Sequence, residues 1–563
     1  MKKRHSLAST LVFALLLLSM HALPAVAGNF RVPDFNPDFI EYLEDVDAGR
    51  AREGFIPSPI DYRAIEERVA SRAAGRTASL PVSYDLAAEG FLTSVKNQRK
   101  WGTCWDFATM EAMESNWLKR HGEEIFLSEL HLGYFAYVQE SLDKPAFDTG
   151  DYGQSESSIF SNGGTTGTSR AILSRGTGPV YEDDAPYPDG DLDAKFWQFY
   201  DPKLPSDTPA RYRLKESLTF HKKDTDAIKS ALMEHGALWI AFSTRGIRID
   251  PVEGYNNPNI YNHNSVPMNH AVLLVGWDDT RSKDLFLSVS DDKTVPQNDG
   301  AWKIQNSWGT ATSSGKPIGE DGFFWISYED ATIFGSFGAA SFVAMPLDTY
   351  DNTYCHDPLG VVCGVDYDES DVTLANAFTA ERGEDLVYVG FDTLEPDLDY
   401  AIQIYRNIPE NEAPSAGTPV LTSPLRGSAS VPGYRTVKLD APIRIEAGER
   451  FAVAVTFTTT NSDMSIPMEA RVKNFSSRAA CAPGESYYLN GAEWKEVMEI
   501  GATEYDGAGA DARMAYYTNA CIKGFTKNVA SGGGSSGSCG VGGAAAILLL
   551  PALAFLRKRR ETK

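Results

Sequence analysis

Cys104 stands directly in front of a segment with helical periodicity. Apolar residues follow it at spacings of three, three and four, at Phe107, Met110, Met113 and Trp117, and this spacing predicts an amphipathic helix. The partial positive charge at a helix N-terminus lowers the pKa of a thiol placed there and favours the nucleophilic thiolate. An isolated cysteine is more often a buried, unreactive side chain. The interpretation therefore depends on whether the chain also supplies a base and an oxyanion donor.

Three further residues supply those groups. His270 opens a continuous apolar run that is typical of a buried strand. The amide oxygen of Asn306 can accept a hydrogen bond from one imidazole nitrogen and leave the other facing the thiol, and Trp308 can shield that bond from water. Gln98, six residues before Cys104, carries an amide that can donate to an oxyanion. Together these residues indicate nucleophilic catalysis rather than packing.

The segments around these residues resemble the papain-like cysteine proteases over roughly residues 81–345. The matching motifs are Cys104-Trp105, Leu127-Ser128-Glu129, Asn162-Gly163-Gly164, Asn269-His270-Ala271, Asn306-Ser307-Trp308-Gly309 and Gly319-Glu320-Asp321-Gly322-Phe323. The resemblance implies an α+β fold with a helical lobe over about 95–210, a β-barrel-like lobe over about 211–345, and the site in the cleft between them. It implies neither a cofactor nor a metal.

The same resemblance assigns roles to the catalytic residues. Cys104 attacks the scissile carbonyl, His270 serves as its ion-pair partner and then as acid and base, and Asn306 orients His270. The Gln98 side chain and the backbone N–H of Cys104 hold the oxyanion.

Substrate contacts follow from the resemblance as well. Gly163 and Gly164 bind the backbone of an extended peptide, because residues without side chains allow close approach. Ala241 and Met268 fall on the apolar wall of the specificity pocket, which suggests a hydrophobic residue two before the cleaved bond. Trp308 completes the predicted binding residues.

Some positions depart from the family pattern. Trp101 and Ser161 stand where the family usually has two cysteines joined by a disulfide, so Cys104 is the only thiol of the protease segment. Asp106 stands where a small residue is common. We expect Asp106 to point to solvent from the first helical turn, where acidic residues are favoured.

The N-terminal part of the chain indicates export. Residues 1–27 combine a basic start, an apolar core and Ala25-Val26-Ala27, which is typical of a secretory signal peptide. Residues 28–80 form either a propeptide lying in the cleft or a permanent N-terminal arm, and both interpretations stay open. With 52 basic and 76 acidic residues the net charge is −24, which argues against nucleic-acid binding and suits an extracellular surface.

Residues 350–526 have the pattern of short strands separated by turns, which predicts an antiparallel β-sandwich. Several of its motifs, among them Asp351-Asn352-Thr353-Tyr354, resemble the lectin-like domain appended to some bacterial papain-like proteases. A cell-surface carbohydrate or protein ligand is one hypothesis for this domain, and a structural brace is the other. Its cysteines are expected to pair as Cys355–Cys363 and Cys481–Cys521, the preferred one of three possible pairings.

The C-terminal part is separable from the rest. Residues 527–538 form a Gly/Ser linker, and residues 539–563 hold Cys539-Gly540, an apolar run and a basic end. This order resembles bacterial C-terminal sorting tails, which implies a sorting protease that cleaves near Cys539 and attaches the product at the cell surface. A permanent single-span anchor is the alternative.

Two functions are consistent with these patterns. The first is an exported, cell-surface cysteine endopeptidase that acts on protein or peptide substrates. The second is a surface adhesin that uses a catalytically weak protease fold to present the lectin-like domain. The acidic loop 189–193 lacks the glycine and glutamate of a calcium loop and is expected to be a solvated loop.

Overall fold

The computed structural model describes most of residues 29–529. The described ranges are 29–31, 33–49, 54–63, 65–66, 69, 79–148, 162–188, 204–205, 208–247, 257–286, 294–312, 314–335, 337–500, 502–505 and 513–529. All of them but Val529 belong to one compact unit that ends at Asn528. The predicted signal peptide, the acidic loop 189–193 and the tail with Cys539 lie outside the described residues. Among the described helices, none is long and apolar enough to cross a membrane.

The helices mostly precede the strands of the protease segment. They are α1 (Pro37–Asp47), α2 (Cys104–His121), α3 (Glu129–Tyr137), α4 (Thr166–Ser174) and α5 (Thr225–His235). The helix α2 begins at Cys104, has Lys119, Arg120 and His121 in its last turn, where they complement the helix dipole, and ends at Gly122 in the left-handed conformation (φ 68°).

The predicted amphipathic helix is central rather than peripheral. Every residue of α2 from Cys104 to Leu118 is buried, because strands pack on it as well as α3 and α4. A helix enclosed in this way has no solvent-facing side in its first turns.

The second lobe is a mainly antiparallel sheet. Its strands are β2 (Ser83–Asp85), β3 (Tyr212–Phe220), β4 (Leu238–Phe242), β5 (Asn259–Ile260), β6 (His270–Asp278), β7 (Ala301–Gln305), β8 (Phe323–Ser327), β9 (Ala339–Ala340) and β10 (Val343–Pro346). The strand β6 pairs with β4 on one side and β7 on the other. Within this sheet His270 lies opposite Phe242, so the imidazole starts from a rigid, buried edge.

The C-terminal domain is built from antiparallel strands. They are β11 (Asn352–Cys355), β12 (Cys363–Tyr367), β13 (Asp371–Thr379), β14 (Glu384–Thr393), β15 (Leu398–Arg406), β16 (Thr418–Pro419), β17 (Leu425–Ala429), β18 (Gly433–Ile445), β19 (Arg450–Thr458), β20 (Met464–Arg471), β21 (Ser486–Asn490), β22 (Glu493–Glu496), β23 (Ala502–Tyr505), β24 (Arg513–Ala520) and β25 (Ile522–Asn528). One sheet orders them β16-β15-β19-β13-β21-β22 with β17 beside β15. Another orders β12-β20-β24-β23 and carries the N-terminal strand β1 (Phe30–Arg31) at its edge.

A shared sheet joins the C-terminal domain to the protease segment. The order β11-β25-β14-β18 continues directly into β3, where Tyr434 pairs with Ser217. Arg175, buried at the end of α4, donates to the carbonyl oxygens of Phe135, Pro145 and Pro358. The two parts therefore share backbone hydrogen bonds and a buried cation.

The expected disulfides are not formed. Each described cysteine is a free thiol, namely Cys104, Cys355, Cys363, Cys481 and Cys521. Cys355 lies on β11 and Cys363 on β12, and these strands belong to different sheets. Even parity in an exported chain does not by itself place thiols within bonding distance.

The expectation that Asp106 points to solvent is also wrong. Its side chain is fully buried, and both carboxyl oxygens lack a hydrogen-bond partner among the described residues. Burial raises its pKa well above the usual value, and the nearby charge of Glu129 raises it further. The physical cause is the packing around α2 that the local spacing of residues does not reveal.

We expect Asp106→Asn to stabilise the protein at neutral pH. Folding favours the protonated carboxyl, so the ionised form destabilises the fold once the pH exceeds the unfolded-state pKa of about 3.9. Removing that charge should raise the free energy of unfolding by about 1–3 kcal/mol at pH 7 and by almost nothing near pH 3. Urea unfolding followed by tryptophan fluorescence at both pH values measures the difference. The exposed control Asp143→Asn should change it by less than about 0.5 kcal/mol, and a loss of stability in Asp106→Asn at pH 7 would contradict the prediction.

Candidate active site

Cys104 lies where the two lobes meet. Its side chain is fully buried at the first residue of α2. Its Sγ accepts a hydrogen bond from the backbone N–H of Ala271 at 3.3 Å. Ala271 follows His270 at the start of β6, so this bond brings the helix N-terminus to the edge of the sheet.

His270 and Asn306 form a direct pair. The Nε2 atom of His270 is 2.8 Å from Oδ1 of Asn306, which also accepts from the backbone N–H of Ser307 at 2.8 Å. Because that oxygen is an acceptor, Nε2 carries the hydrogen and Nδ1 keeps its lone pair. The ring of Trp308 stacks on the imidazole with centroids 5.0 Å apart and covers this side of the pair.

Gln98 is held by the segment that carries Asn306. Its Oε1 accepts from the Ser307 hydroxyl at 2.6 Å, and its Nε2 donates to the Trp101 carbonyl at 2.6 Å. The backbone N–H of Gln98 donates to the Ser307 carbonyl at 2.8 Å. The amide orientation is thereby fixed, and one of the two Nε2 hydrogens stays available. The sequence motif assigns no role to Ser307, although its place directly after Asn306 is a signal for one.

Part of residues 28–80, called the N-terminal segment from here on, lies in the cleft beside Cys104. The Gly164 N–H donates to the Gly54 carbonyl at 3.0 Å, and the Ile56 N–H donates to the Gly164 carbonyl at 2.9 Å. A Cβ placed on Gly54 would lie 3.4 Å from Sγ of Cys104 and 2.8 Å from the carbonyl oxygen of Asn269. Gly54 also has φ +97°, so this close approach needs glycine. Gly54 belongs to the residues 28–80 for which a propeptide in the cleft is one of the two interpretations, but its local sequence does not predict an approach this close to Cys104.

The predicted glycine pair contacts this segment. Gly163 has φ +74°, and a Cβ there would lie 2.8 Å from the Gly54 carbonyl oxygen. A Cβ on Gly164 would overlap the Trp105 ring at 2.3 Å. Gly163 therefore needs glycine for the chain in the cleft to lie this close, and Gly164 needs glycine to pack on Trp105.

The residues predicted to line the specificity pocket lie on the β side of the cleft. Ala241 is fully buried on β4 and pairs with Ala271. The half-buried Met268 packs so closely on Gly335 that a Cβ there would lie 2.3 Å from its Cε. Phe55 of the N-terminal segment is buried, and its ring centroid lies 6.0 Å from that of Trp239. Trp239 is two residues before Ala241 and shares its face of β4.

The thiol and the imidazole are both neutral in this arrangement. Burial raises the pKa of Cys104 to about 12, which the N–H of Ala271 lowers in part and the charge of Asp106 raises. Burial lowers the pKa of His270 to about 4, against the opposing effect of Asn306. At neutral pH the site therefore holds a thiol and an imidazole rather than their ion pair.

No group of His, Cys, Asp and Glu side chains among the described residues could hold a metal ion. The chemistry available at the site is that of the thiol, the imidazole and the two amides.

Comparison with known proteins covers both parts of the chain. The model of the papain family cysteine proteases matches residues 80–346, and that of the lectin-like domain matches residues 353–526. Among curated proteins, a viral cathepsin of Autographa californica nuclear polyhedrosis virus is 27% identical over 246 residues, and cysteine proteinase 15A of Pisum sativum is 26% identical over 250 residues. Each match covers 44% of this chain and 59% or 58% of the relative. The chain thus spans less than two thirds of the length of these relatives.

Solved structures show the same architecture. The cysteine protease and lectin-like domains of Cwp84, a surface layer associated protein of Clostridium difficile, align with a TM-score of 0.67 and 24% identity over 90% of this chain and 99% of that one. Clostridial Cwp84 after propeptide cleavage aligns with a TM-score of 0.61 and 24% identity over 79% of this chain and 99% of that one. These likenesses confirm the α+β fold expected from the sequence. Residues 80–346 of this chain belong to the papain family of cysteine proteases, and residues 353–526 form a lectin-like domain.

Proposed function

We propose that this chain is an exported, cell-surface cysteine endopeptidase that its N-terminal segment holds latent. The observation that carries the proposal is the backbone of Gly54–Ile56, which lies against Cys104 and exchanges two hydrogen bonds with Gly164. An extended peptide substrate would use the same backbone groups of Gly164. The cleft therefore already holds a peptide beside the candidate nucleophile.

The chemistry follows from the protonation states. Once the N-terminal segment leaves, water and the N-terminus of α2 favour the thiolate of Cys104, and Nδ1 of His270 takes its proton. The thiolate attacks the scissile carbonyl, and His270 then protonates the leaving amine. The resulting thioester is hydrolysed by a water molecule that His270 deprotonates. Asn306 holds the imidazole in the orientation that both steps need.

Gln98 supplies the oxyanion donor. Ser307 and the Trp101 carbonyl fix its amide, so the free Nε2 hydrogen is preorganised rather than recruited during the reaction. The backbone N–H of Cys104 at the start of α2 is the second donor. Such preorganised donors are among the largest contributions to acyl-transfer catalysis.

Phe55 supports a preference for hydrophobic substrates. Its buried ring packs near Trp239 on the same face of β4 as Ala241. We therefore place the main specificity pocket there and expect it to accept an apolar side chain of the substrate.

The latent state has a second anchor on the lectin-like domain. Strand β1 pairs with β12, with Phe30 opposite Tyr367, and Phe39 of α1 packs on Phe475 at 5.1 Å. This bridging role favours the propeptide interpretation of residues 28–80. The solved relative described after propeptide cleavage is consistent with it.

Location at the cell surface is supported by the sequence and by one relative. Residues 1–27 have the pattern of a secretory signal, and Cwp84 is described as a surface layer associated protein. In this proposal a sorting protease processes the tail near Cys539, and the lectin-like domain binds a carbohydrate or protein at the surface.

Peptide hydrolysis tests the catalytic assignment. The chain freed of its N-terminal segment should cleave an unstructured protein at internal bonds, and an epoxide-type thiol-protease inhibitor should label Cys104. Cys104→Ala should lower kcat by at least about 10⁴-fold, because no other group supplies the nucleophile. Peptide mapping by mass spectrometry identifies both the label and the cleaved bonds. Absence of labelling together with absence of hydrolysis would contradict the enzyme and favour the adhesin, and release of only terminal residues or dipeptides would contradict endopeptidase action.

Gln98→Ala tests the oxyanion donor. We expect kcat to fall by about 10²–10³-fold with little change in KM, because the donor acts on charge that develops in the transition state. Steady-state kinetics on a fluorogenic peptide measures both constants. The exposed Gln139→Ala is the matched control and should keep full activity. A rise in KM at unchanged kcat would assign Gln98 to substrate binding instead.

Gly54→Ala tests the latent state of the uncut chain. The added Cβ would meet the Asn269 carbonyl at 2.8 Å, whereas Gly49→Ala adds a Cβ at a similarly positive φ with nothing within 4 Å. We expect Gly54→Ala to speed alkylation of Cys104 by at least about tenfold and Gly49→Ala to leave it unchanged. Stopped alkylation time courses, read by mass spectrometry, give the rates. Equal rates in the two variants would mean that the segment does not restrain Cys104.

The pH dependence of the same reaction reports the protonation state. With the pKa of Cys104 at about 12 in the uncut chain, the alkylation rate should rise about tenfold per pH unit from pH 6 to 9, because only the thiolate reacts. After removal of the segment, the rate should reach a plateau below pH 8 as the thiolate–imidazolium pair forms. A plateau in the uncut chain at neutral pH would contradict the neutral pair.

A further inference from the structure

Lys523 and Asp357 form a fully enclosed pair in the lectin-like domain. Nζ of Lys523 is in direct contact with Oδ2 of Asp357, and both side chains are 0% exposed. Lys523 lies on β25, the last described strand of the domain, and Asp357 follows β11, its first strand. Neither residue takes part in the protease chemistry described above.

The surroundings of the pair are buried too. On β25, Lys523 lies opposite Cys355 of β11 on one side and opposite Gly390 of β14 on the other. The ring of Tyr434 has its centroid 5.9 Å from Nζ. The second oxygen of Asp357, Oδ1, has no hydrogen-bond partner among the described residues. Lys523 thus contacts one oxygen of the carboxyl group, and the other oxygen is buried without a hydrogen-bond partner among the described residues.

A second carboxyl group lies near the pair. Asp392 is buried on β14 two residues after Gly390, which places it on the sheet face shared with Lys523. Burial raises the pKa of Asp357 to about 6, Lys523 opposes this rise, and Asp392 adds to it. Asp392 also faces Arg170 at 3.8 Å, which supplies it with a counter-charge.

Burial makes the charged pair costly. It lowers the pKa of Lys523, but the charge of Asp357 outweighs this effect and raises that pKa above its usual value, so condensation must begin with a proton transfer inside the pair. Both ions lose their hydration, and their mutual attraction only partly compensates. Transfer of one proton from the ammonium to the carboxylate, within the contact, leaves an amine beside a carboxylic acid. An amine in contact with one oxygen of a carboxyl group lies next to the carbon at which condensation would occur, in a site that excludes water.

We propose that Lys523 and Asp357 become joined by an intramolecular amide bond. The Nζ lone pair attacks Cγ of the protonated Asp357, and Asp392 accepts a proton from Nζ. The C–N bond forms, and the bond from Cγ to the protonated oxygen breaks as Asp392 returns the proton to it. One water molecule leaves for each amide formed, so the step needs no oxidant, reductant or further reactant.

The bond would close the lectin-like domain covalently. It would connect strands β11 and β25, which are already paired and whose linked residues are separated by 166 positions in sequence. A pull on the C-terminal end of the domain would then pass from β25 directly to β11 without loading the strands between them. The amide also replaces two buried charges with one neutral group.

Peptide mapping of the full chain tests the proposal. The chain should carry Cys104→Ala to prevent self-digestion, and reduction and alkylation beforehand remove any disulfide that could link the same strands. After denaturation and trypsin digestion, we expect one branched peptide that contains Asp357 and Lys523, is lighter than its two parts by one water molecule, and is uncut after Lys523. Recovery of the two parts as separate, unmodified peptides would overturn the proposal.

Variants test separately the formation of the amide bond and the proton transfer by Asp392, and a control variant shows the general effect of a substitution. Lys523→Arg and Asp357→Ala should give only unbranched peptides, whereas the control Lys527→Arg, exposed on the same strand, should keep the branched one. Asp392→Asn should lower the branched fraction at a fixed time after synthesis by at least tenfold. A fully branched Asp392→Asn chain would overturn the relay assigned to Asp392. The chain that retains Lys523 and Asp357 shows by itself whether the amide bond forms, so the test does not require every variant to fold.

Discussion

The hydrogen bond from Ala271 N–H to the thiol of Cys104 is the contact on which the site depends. It joins the first residue of a buried helix to the first residues of a buried strand, so the nucleophile and the base derive their positions from two rigid elements. The strand in turn is fixed between β4 and β7. Asn306 follows directly after β7 and Gln98 is tied to the same turn through Ser307. The positions of the four side chains therefore follow from the contact between the edge of this sheet and the start of α2.

In the proposed latent state, the same enclosure keeps the site inactive. The segment lies so close to Cys104 that a Cβ added to Gly54 would be 3.4 Å from Sγ. A segment in this place excludes water that a thiolate would need. Burial raises the pKa of Cys104 and lowers that of His270. Latency thus requires no distortion of the catalytic residues and leaves the hydrogen bond between His270 and Asn306 intact.

The sequence predicted the parts of the molecule that short motifs determine. Cys104, His270 and Asn306 each stand at the boundary of a helix or strand, where a few neighbouring residues specify the local structure, and the fold class followed from them. Contacts between distant segments were beyond this reasoning. The burial of Asp106 depends on what packs around α2, and whether Cys355 and Cys363 can pair depends on how their strands are packed. The course of Gly54 through the cleft and the pairing of Lys523 with Asp357 likewise have no local signature.

The bridging path of the N-terminal segment has a consequence for how latency ends. The segment holds the cleft through Gly54–Ile56 and the lectin-like domain through β1, so each contact keeps the other at high local concentration. Cutting the chain on the C-terminal side of the N-terminal segment would turn the segment into a separate ligand that binds at two sites, the cleft and the edge of β12. Its dissociation would then depend on dilution and on competition by other ligands at either site. A ligand that displaces β1 from the edge of β12 would weaken the hold on the distant cleft without touching the protease domain.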